Sequence, residues 1–297
     1  MSNKKLLIAA WASAFVVAAR LPWWSLHHGQ AAPPVAEVEV DVGREALAIS
    51  KQLYPDLDVD TYDTLLDMLV ERVRTITAGE TDPDKRIRAM NTVIYKLEGY
   101  KYDKDAYKAH ADDCRLLSYI LQRRTGTCMA LATLYLATAQ RLGYPIYSVS
   151  APSHMFLRYI GPDLQMRNIE PTDGGGESSD DDYDSFLKIL YTTRRTGVYM
   201  RTMSHQQFVS YLYSTAIPVA LAHRNGEQAM DFVEKALALD PHNTVAMARG
   251  AVFYRKLARV NYQKNGAAYG RRASTLAWML SQSGDEQAEK EMMENLK

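Results

Sequence analysis

The sequence predicts an α+β fold in which a helical first part leads to one strongly apolar helix and a pair of short strands, and a second helical region closes the chain. Three observations carry this. Apolar residues recur at helical spacing from Val42 to Gln122 and again from Thr202 onward. The stretch after Cys128 is apolar on nearly every side, the pattern of a helix buried in a core. Between Pro145 and Pro171 the pattern changes to short alternating runs bounded by Gly and Pro, which reads as strands.

Composition narrows the classes. The 297 residues suffice for one full core and a smaller second unit. Lys plus Arg and Asp plus Glu are equal at 35 each, so no basic stripe marks a nucleic-acid binder. Two cysteines are too few for a disulfide scaffold, and the absence of a CxxC pair excludes a zinc ribbon. No metal and no cofactor are expected.

The elements follow in order. Lys4 and Lys5 precede an apolar run from Leu6 to Ala19, with Arg20 behind it, the layout of a signal peptide. The run is shorter than the roughly 20 residues of a membrane span. It reaches Trp24 if Arg20 snorkels and Trp23 and Trp24 sit at the interface. Residues 1–24 are therefore expected to be a signal peptide or a membrane anchor, with the rest exported to the periplasm or held on the outer side of the inner membrane. Residues 25–41, "SLHHGQAAPPVAEVEVD", read as a linker, His27 and His28 included.

Helices are expected from Val42 to about Tyr54, stopped by Pro55, and from Val59 to about Thr77. A third starts at Thr81 or Asp82 with Pro83 in its first turn and ends at Gly99. A fourth runs to about Gln122 and carries Cys114, read as a small buried residue. The apolar helix after Thr127 ends at Gly143 and Pro145. "TDGGGESSDDDYDSF" reads as a solvated acidic loop, since Asp180 to Asp184 lack the spacing of a calcium loop. His110, His205, His223 and His242 have polar or surface-like settings. In the last part, Ala229, Ala236 and Pro241 stand at offsets typical of tetratricopeptide repeats.

Three residues carry chemistry. Cys128 follows Thr127, an N-cap, and the free N–H groups and dipole of a helix start favour its thiolate. His154 opens a strand and Glu170 closes the next. A symmetric hairpin about Pro162 would place Ile160 opposite Leu164, Arg158 opposite Met166, Phe156 opposite Asn168, and His154 opposite Glu170. That puts a carboxylate beside an imidazole, the orienter and base of a triad. In an oxidising compartment, a Cys114–Cys128 disulfide would block the nucleophile.

"RRTGTCMALATLYLATAQRLGYPIYSVSAPSHMFLRY" followed by "NIEPTDGG" resembles the transglutaminase-like superfamily, and within it a bacterial branch with an Arg-Arg-x-Gly-x-Cys segment before the core helix. The resemblance runs from about residue 45. It implies a papain-like core, in which a central Cys-bearing helix packs on an antiparallel sheet, and an all-α tetratricopeptide-like C-terminal region, which "MARGAVFYRKL" also resembles. The domains expected are then 42–200 for the transglutaminase-like part and 201–297 for the helical tail. The family's nucleophile matches Cys128, its histidine His154 and its acid Glu170, a position that more often holds Asp.

The activity implied is acyl transfer from a peptide or protein substrate to the Cys128 thiol. His154 takes the proton, Cys128 attacks an amide carbonyl, and water or an amine resolves the thioester, water being simpler because it needs no second site. The Cys128 backbone N–H and Gln122 are the expected oxyanion donors. The alternatives are a non-catalytic peptide- or protein-binding module with a vestigial triad, and an interaction scaffold whose partner protein docks on the C-terminal repeats. No nucleic acid is expected, and membrane association is expected only through the N-terminus.

Overall fold

The helix that starts at Cys128 is the element round which the others are arranged. In the computed structural model it runs Cys128–Arg141, and every residue from Met129 to Ala139 is buried. α1 (Val42–Leu53), α2 (Val59–Ile76) and the short helix Leu117–Arg123 pack on its flanks. The structure describes residues 39–296, apart from 107, 109, 110, 163, 190 and 262–264. The signal peptide or anchor expected at 1–24 and most of the linker expected at 25–41 lie outside those residues. Among the described residues, no helix is long and apolar enough to cross a membrane.

Local chemistry starts each helix where the sequence signals it. Asp41 caps α1 by accepting the Arg44 N–H at 2.9 Å, and Asp58 caps α2. Asp82 caps α3 (Pro83–Asn91), with Pro83 in the first turn. Beyond Asn91 the helix widens into a π-helical segment, Thr92–Leu97, before Gly99 turns away at φ 75°. The expected fourth helix is a 3₁₀ turn, Ala111–Arg115, followed by Leu117–Arg123.

The sheet covers one side of the cysteine helix. Two short strands, β1 (Lys101–Tyr102) and β2 (Thr125–Gly126), pair in parallel just before Cys128. The main sheet has the order β5-β4-β3-β6 and is antiparallel throughout: β3 (Ile146–Ala151), β4 (His154–Ile160), β5 (Met166–Ile169) and β6 (Thr202–Met203). Pro152 and Ser153 turn β3 into β4. Ser153 has φ 55°, which with Pro before it fits a type II turn and sets His154 at the first position of the strand.

The β4–β5 register differs from the symmetric hairpin. Arg158 faces Asn168 and Ile160 faces Met166, a shift of two residues. The loop is five residues long and is closed by Gly161 N–H donating to Gln165 O at 2.9 Å. A shift of one would have reversed the faces, whereas a shift of two preserves them. His154, Phe156 and Arg158 therefore still share a face with Asn168 and Glu170, while Leu157 and Ile169 join the main core.

The acidic segment is a correction. Asp180–Leu187 is a helix, opened by a capping box between Ser179 and Asp182, and it lies over the outer face of the sheet. Tyr183 from this helix, with Phe156, Val149, Ala151 and Met200, forms a second small core. Asp180 is not a solvated loop carboxylate: it accepts from the buried Arg158 at 2.7 Å and from Arg194. A further short helix, Tyr191–Thr196, and β6 were not foreseen.

Helices His205–Ala222, Gly226–Leu239, Thr244–Val260, Gly266–Ser283 and Glu286–Asn295 complete the chain. Pro218 lies inside the first of them and cannot donate to Ser214 O. Arg249 from the third fills that gap, with Nη1 2.6 Å from the carbonyl. Gly250 permits a close helix crossing, since a Cβ there would meet Leu276 at 2.7 Å and Val233 at 2.9 Å. The expected division at residues 200 and 201 falls inside one unit of the described residues. β6 belongs to the sheet, His205–Ala222 packs on α1, and a single apolar cluster extends from Val42 to Met292.

Candidate active site

Cys128 stands at the first position of the core helix. Thr127 caps it, its hydroxyl accepting the Ala130 N–H and donating to Cys114 O. Among the described residues no acceptor takes the Cys128 N–H, as is usual for the first turn of a helix. The chain reaches this point along β2. Arg124, at φ 59°, anchors it by an ion pair to Glu98 at 2.7 Å. Gly126 lets the strand pass close over Ala130, which a Cβ there would approach at 3.0 Å. Cys114 is buried beneath the turn, and no disulfide joins it to Cys128.

His154 and Glu170 meet through a 2.8 Å contact between Nε2 and Oε2. They are diagonal neighbours, not directly opposed ones, because of the two-residue shift. Diagonal positions are roughly 7–8 Å apart, a gap that a long side chain can close. The Glu170 side chain spans it. Cys128 lies near enough to His154 to act on its titration.

Glu170 is held on both oxygens. Oε2 also accepts from the Tyr183 hydroxyl at 2.8 Å, and Oε1 accepts from the Thr172 N–H at 2.8 Å and its hydroxyl at 2.5 Å. The backbone behind it folds back through Gly174 and Gly175, both at positive φ. Glu170 N–H donates to Gly176 O, and a Cβ on Gly175 would overlap the Asn91 carboxamide. Burial alone would raise the Glu170 pKa, but the bonds from His154 and Thr172 hold it below the ordinary carboxylate range. Burial likewise would lower that of His154. The nearby Cys128 sulfur and the Glu170 carboxylate win, and it is pushed up to about 10.

Cys128 and His154 open onto a cavity of about 750 Å³. Cys128, His154 and Ser153 form one wall, and helices His205–Ala222, Thr244–Val260 and Glu286–Asn295 form the others through residues such as Tyr211, Arg249 and Met292. The C-terminal helices are thus part of the site. Gln122 is exposed on Leu117–Arg123 and does not line this cavity. Among the described residues, no group of three His, Cys, Asp or Glu side chains converges to hold a metal ion.

Sequence reasoning missed Thr172, Tyr183 and Tyr211. For Tyr183 a signal was present: Ser179 followed three residues later by Asp182 is a capping box, the mark of a helix start. His205 was read as surface-like, yet it stacks on Tyr147 and contacts Gln140 and Ile146 O, joining the last helical part to the sheet.

A model of the transglutaminase-like superfamily matches residues 60–213, more than half of the chain. The chain belongs to the transglutaminase-like superfamily. The matched region holds Cys128, His154 and Glu170 and ends inside helix His205–Ala222, so most of the C-terminal helices of this superfamily member lie beyond it. The chain is also similar to a UPF0162 protein of Xylella fastidiosa, 32% identical over 130 residues, 44% of this chain and 45% of that protein. A UPF0162 protein of Vibrio cholerae is 27% identical over 112 residues, 38% of this chain and 41% of that one. F-box only protein 21 of Mus musculus is 31% identical over 90 residues, 29% of this chain and 14% of that protein. In each, the alignment spans less than half of the relative's length. A crystal structure of menin matches with a TM-score of 0.44 and 14% identity, covering 86% of this chain and 69% of that one.

Proposed function

We propose that the chain is a cysteine-dependent amide hydrolase or acyl transferase acting on peptide or protein through a thioester. One observation carries the reading: Cys128 and His154 line one large cavity, and His154 is paired to Glu170 at 2.8 Å. His154 accepts the thiol proton, and Glu170 holds the imidazole. Cys128 attacks the amide carbonyl carbon, and the tetrahedral adduct collapses as the imidazolium gives its proton to the leaving amine. Water or a second amine then resolves the thioester. In this reading the N-terminal segment exports the protein, and the tetratricopeptide-like C-terminal helices shape the substrate cavity and receive a protein partner.

The test uses a peptide digest of a bacterial envelope fraction, incubated with the full chain and with its Cys128→Ser variant. Mass spectrometry would read new N-termini and Gln-to-Glu conversions; added dansylcadaverine would report transfer. Products that depend on Cys128 support the reading. Identical peptide populations from the two proteins would end it.

A further inference from the structure

The attack just described places negative charge on the carbonyl oxygen, and stabilising it takes donors aimed from two sides. The Cys128 N–H supplies one. The second has to come from the cavity wall facing the sulfur, and Gln122 is not there.

Most polar side chains on that wall are already engaged. The Tyr199 hydroxyl donates to Asp285 at 3.0 Å, the Thr215 hydroxyl to Leu212 O at 2.8 Å, and Arg249 to Ser214 O; on the sulfur's own wall, Ser153 accepts from Gln287 at 3.2 Å. Arg115 has a partner of its own. Tyr211 differs. It projects from helix His205–Ala222 into the cavity, and among the described residues its hydroxyl has no hydrogen-bond partner. It lines the same cavity as Cys128. The side chain is half-buried, so its hydroxyl is reachable from the cavity and free to donate to a group bound there.

We propose that Tyr211 is the second oxyanion donor of this site, so that the C-terminal helices contribute a catalytic group as well as a wall. The inference rests on the acyl-transfer reading above. In the step, the Cys128 sulfur forms a bond to the carbonyl carbon and the C=O electron pair moves onto oxygen. There the oxygen accepts from the Cys128 N–H and the Tyr211 O–H. Collapse of the adduct returns the pair and expels the leaving group. Tyr211 keeps its proton throughout. Burial, opposed by Arg249 and reinforced by Cys128, pushes the phenol up to about 12, so it remains a donor at neutral pH.

Two reactions at the same sulfur separate this role from others. Iodoacetamide alkylates Cys128 by displacing iodide and builds no oxyanion, whereas p-nitrophenyl acetate acylates it through one. In the full chain, Tyr211→Phe is expected to leave the alkylation rate of Cys128 unchanged and to slow the single-turnover release of p-nitrophenolate by about 10²-fold. Tyr213→Phe, on the same helix but outside the cavity lining, is expected to keep both rates and controls for local disruption of the helix. Equal acylation by Tyr211→Phe and wild type would overturn the proposal, as would a parallel fall in both rates, which would mean that Tyr211 acts on the sulfur and not on the oxyanion. A wild-type protein that alkylates at Cys128 but shows no Cys128-dependent burst would remove the acyl-transfer reading itself, and the proposal with it.

Discussion

His154 and Glu170 lie one pleat apart on the same face of the β4–β5 pair, and the length of the glutamate side chain brings its carboxylate to 2.8 Å from the imidazole. The pairing depends on side-chain reach as much as on backbone register. Glu170→Asp retracts the carboxylate by one C–C bond, about 1.5 Å. We expect it to slow acylation of Cys128 by p-nitrophenyl acetate by about 10²-fold, as misplacement on that scale does elsewhere. A rate equal to wild type would show that the longer side chain is not required.

His154→Ala is expected to lower the alkylation of Cys128 by iodoacetamide at pH 6 by about tenfold or more, because an isolated thiol is almost wholly protonated there. The readout is the mass shift of Cys128 against time. Unchanged alkylation would count against the thiol–imidazole pair and favour a binding module.

Stability should depend on pH in two windows of opposite sign. The folded-state pKa of His154 is raised from 6.5 to about 10, so its contribution is complete below about 6.5 and is lost as pH rises through about 10. That of Glu170 is lowered from 4.5, so its contribution is present above that value and is lost as pH falls through the folded one. Urea midpoints measured from pH 3 to 10.5 are expected to fall at both ends. In His154→Gln the alkaline fall should shrink while other titrations remain; an unaltered alkaline limb would contradict the assignment.

Tyr183→Phe keeps the ring stacked on Phe156, at 3.9 Å between centroids, and deletes only the hydroxyl that donates to Glu170. Loss of a hydrogen bond to a charged, buried group should cost about 1.5–3 kcal/mol in urea unfolding. A cost near zero would mean that water or Thr172 replaces the bond.

Arg249 and Pro218 are expected to be coupled. Arg249→Ala leaves Ser214 O without the donor that Pro218 denies it, at a cost of about 1–3 kcal/mol. Pro218→Ala restores a backbone N–H at that place, so the double variant should recover part of the loss. Strict additivity in a thermal-unfolding cycle would refute the link.

How far the site was legible can be followed residue by residue. Cys128 at a helix start could be read from Thr127 and the apolar run behind it, because capping and burial are local or periodic. That His154 and Glu170 share a face could also be read, since strand alternation survives a two-residue error. The register itself could not. "GPD" suggests a tight turn, and the five-residue loop is chosen by packing on both sides of the sheet. Tyr183 was hidden because its helix was taken for a loop on account of its charge. Two of those carboxylates, Asp180 and Asp184, face Arg194, and Asp180 also faces the buried Arg158.

The sequence by itself determined most of the helices, the β4–β5 strand pair, the buried cysteine helix and the residues able to supply a thiol, an imidazole and a carboxylate. These follow from caps, turn residues and apolar spacing, which act over a few residues. Only the tertiary structure decided that the carboxylate reaches its histidine diagonally, that Tyr183 and Thr172 hold it, and that Tyr211, on a helix some eighty residues further on, lines the same cavity as Cys128. Those contacts join segments far apart in the chain. They are set by how the sheet and the C-terminal helices bury their apolar faces together, and no local pattern encodes that choice.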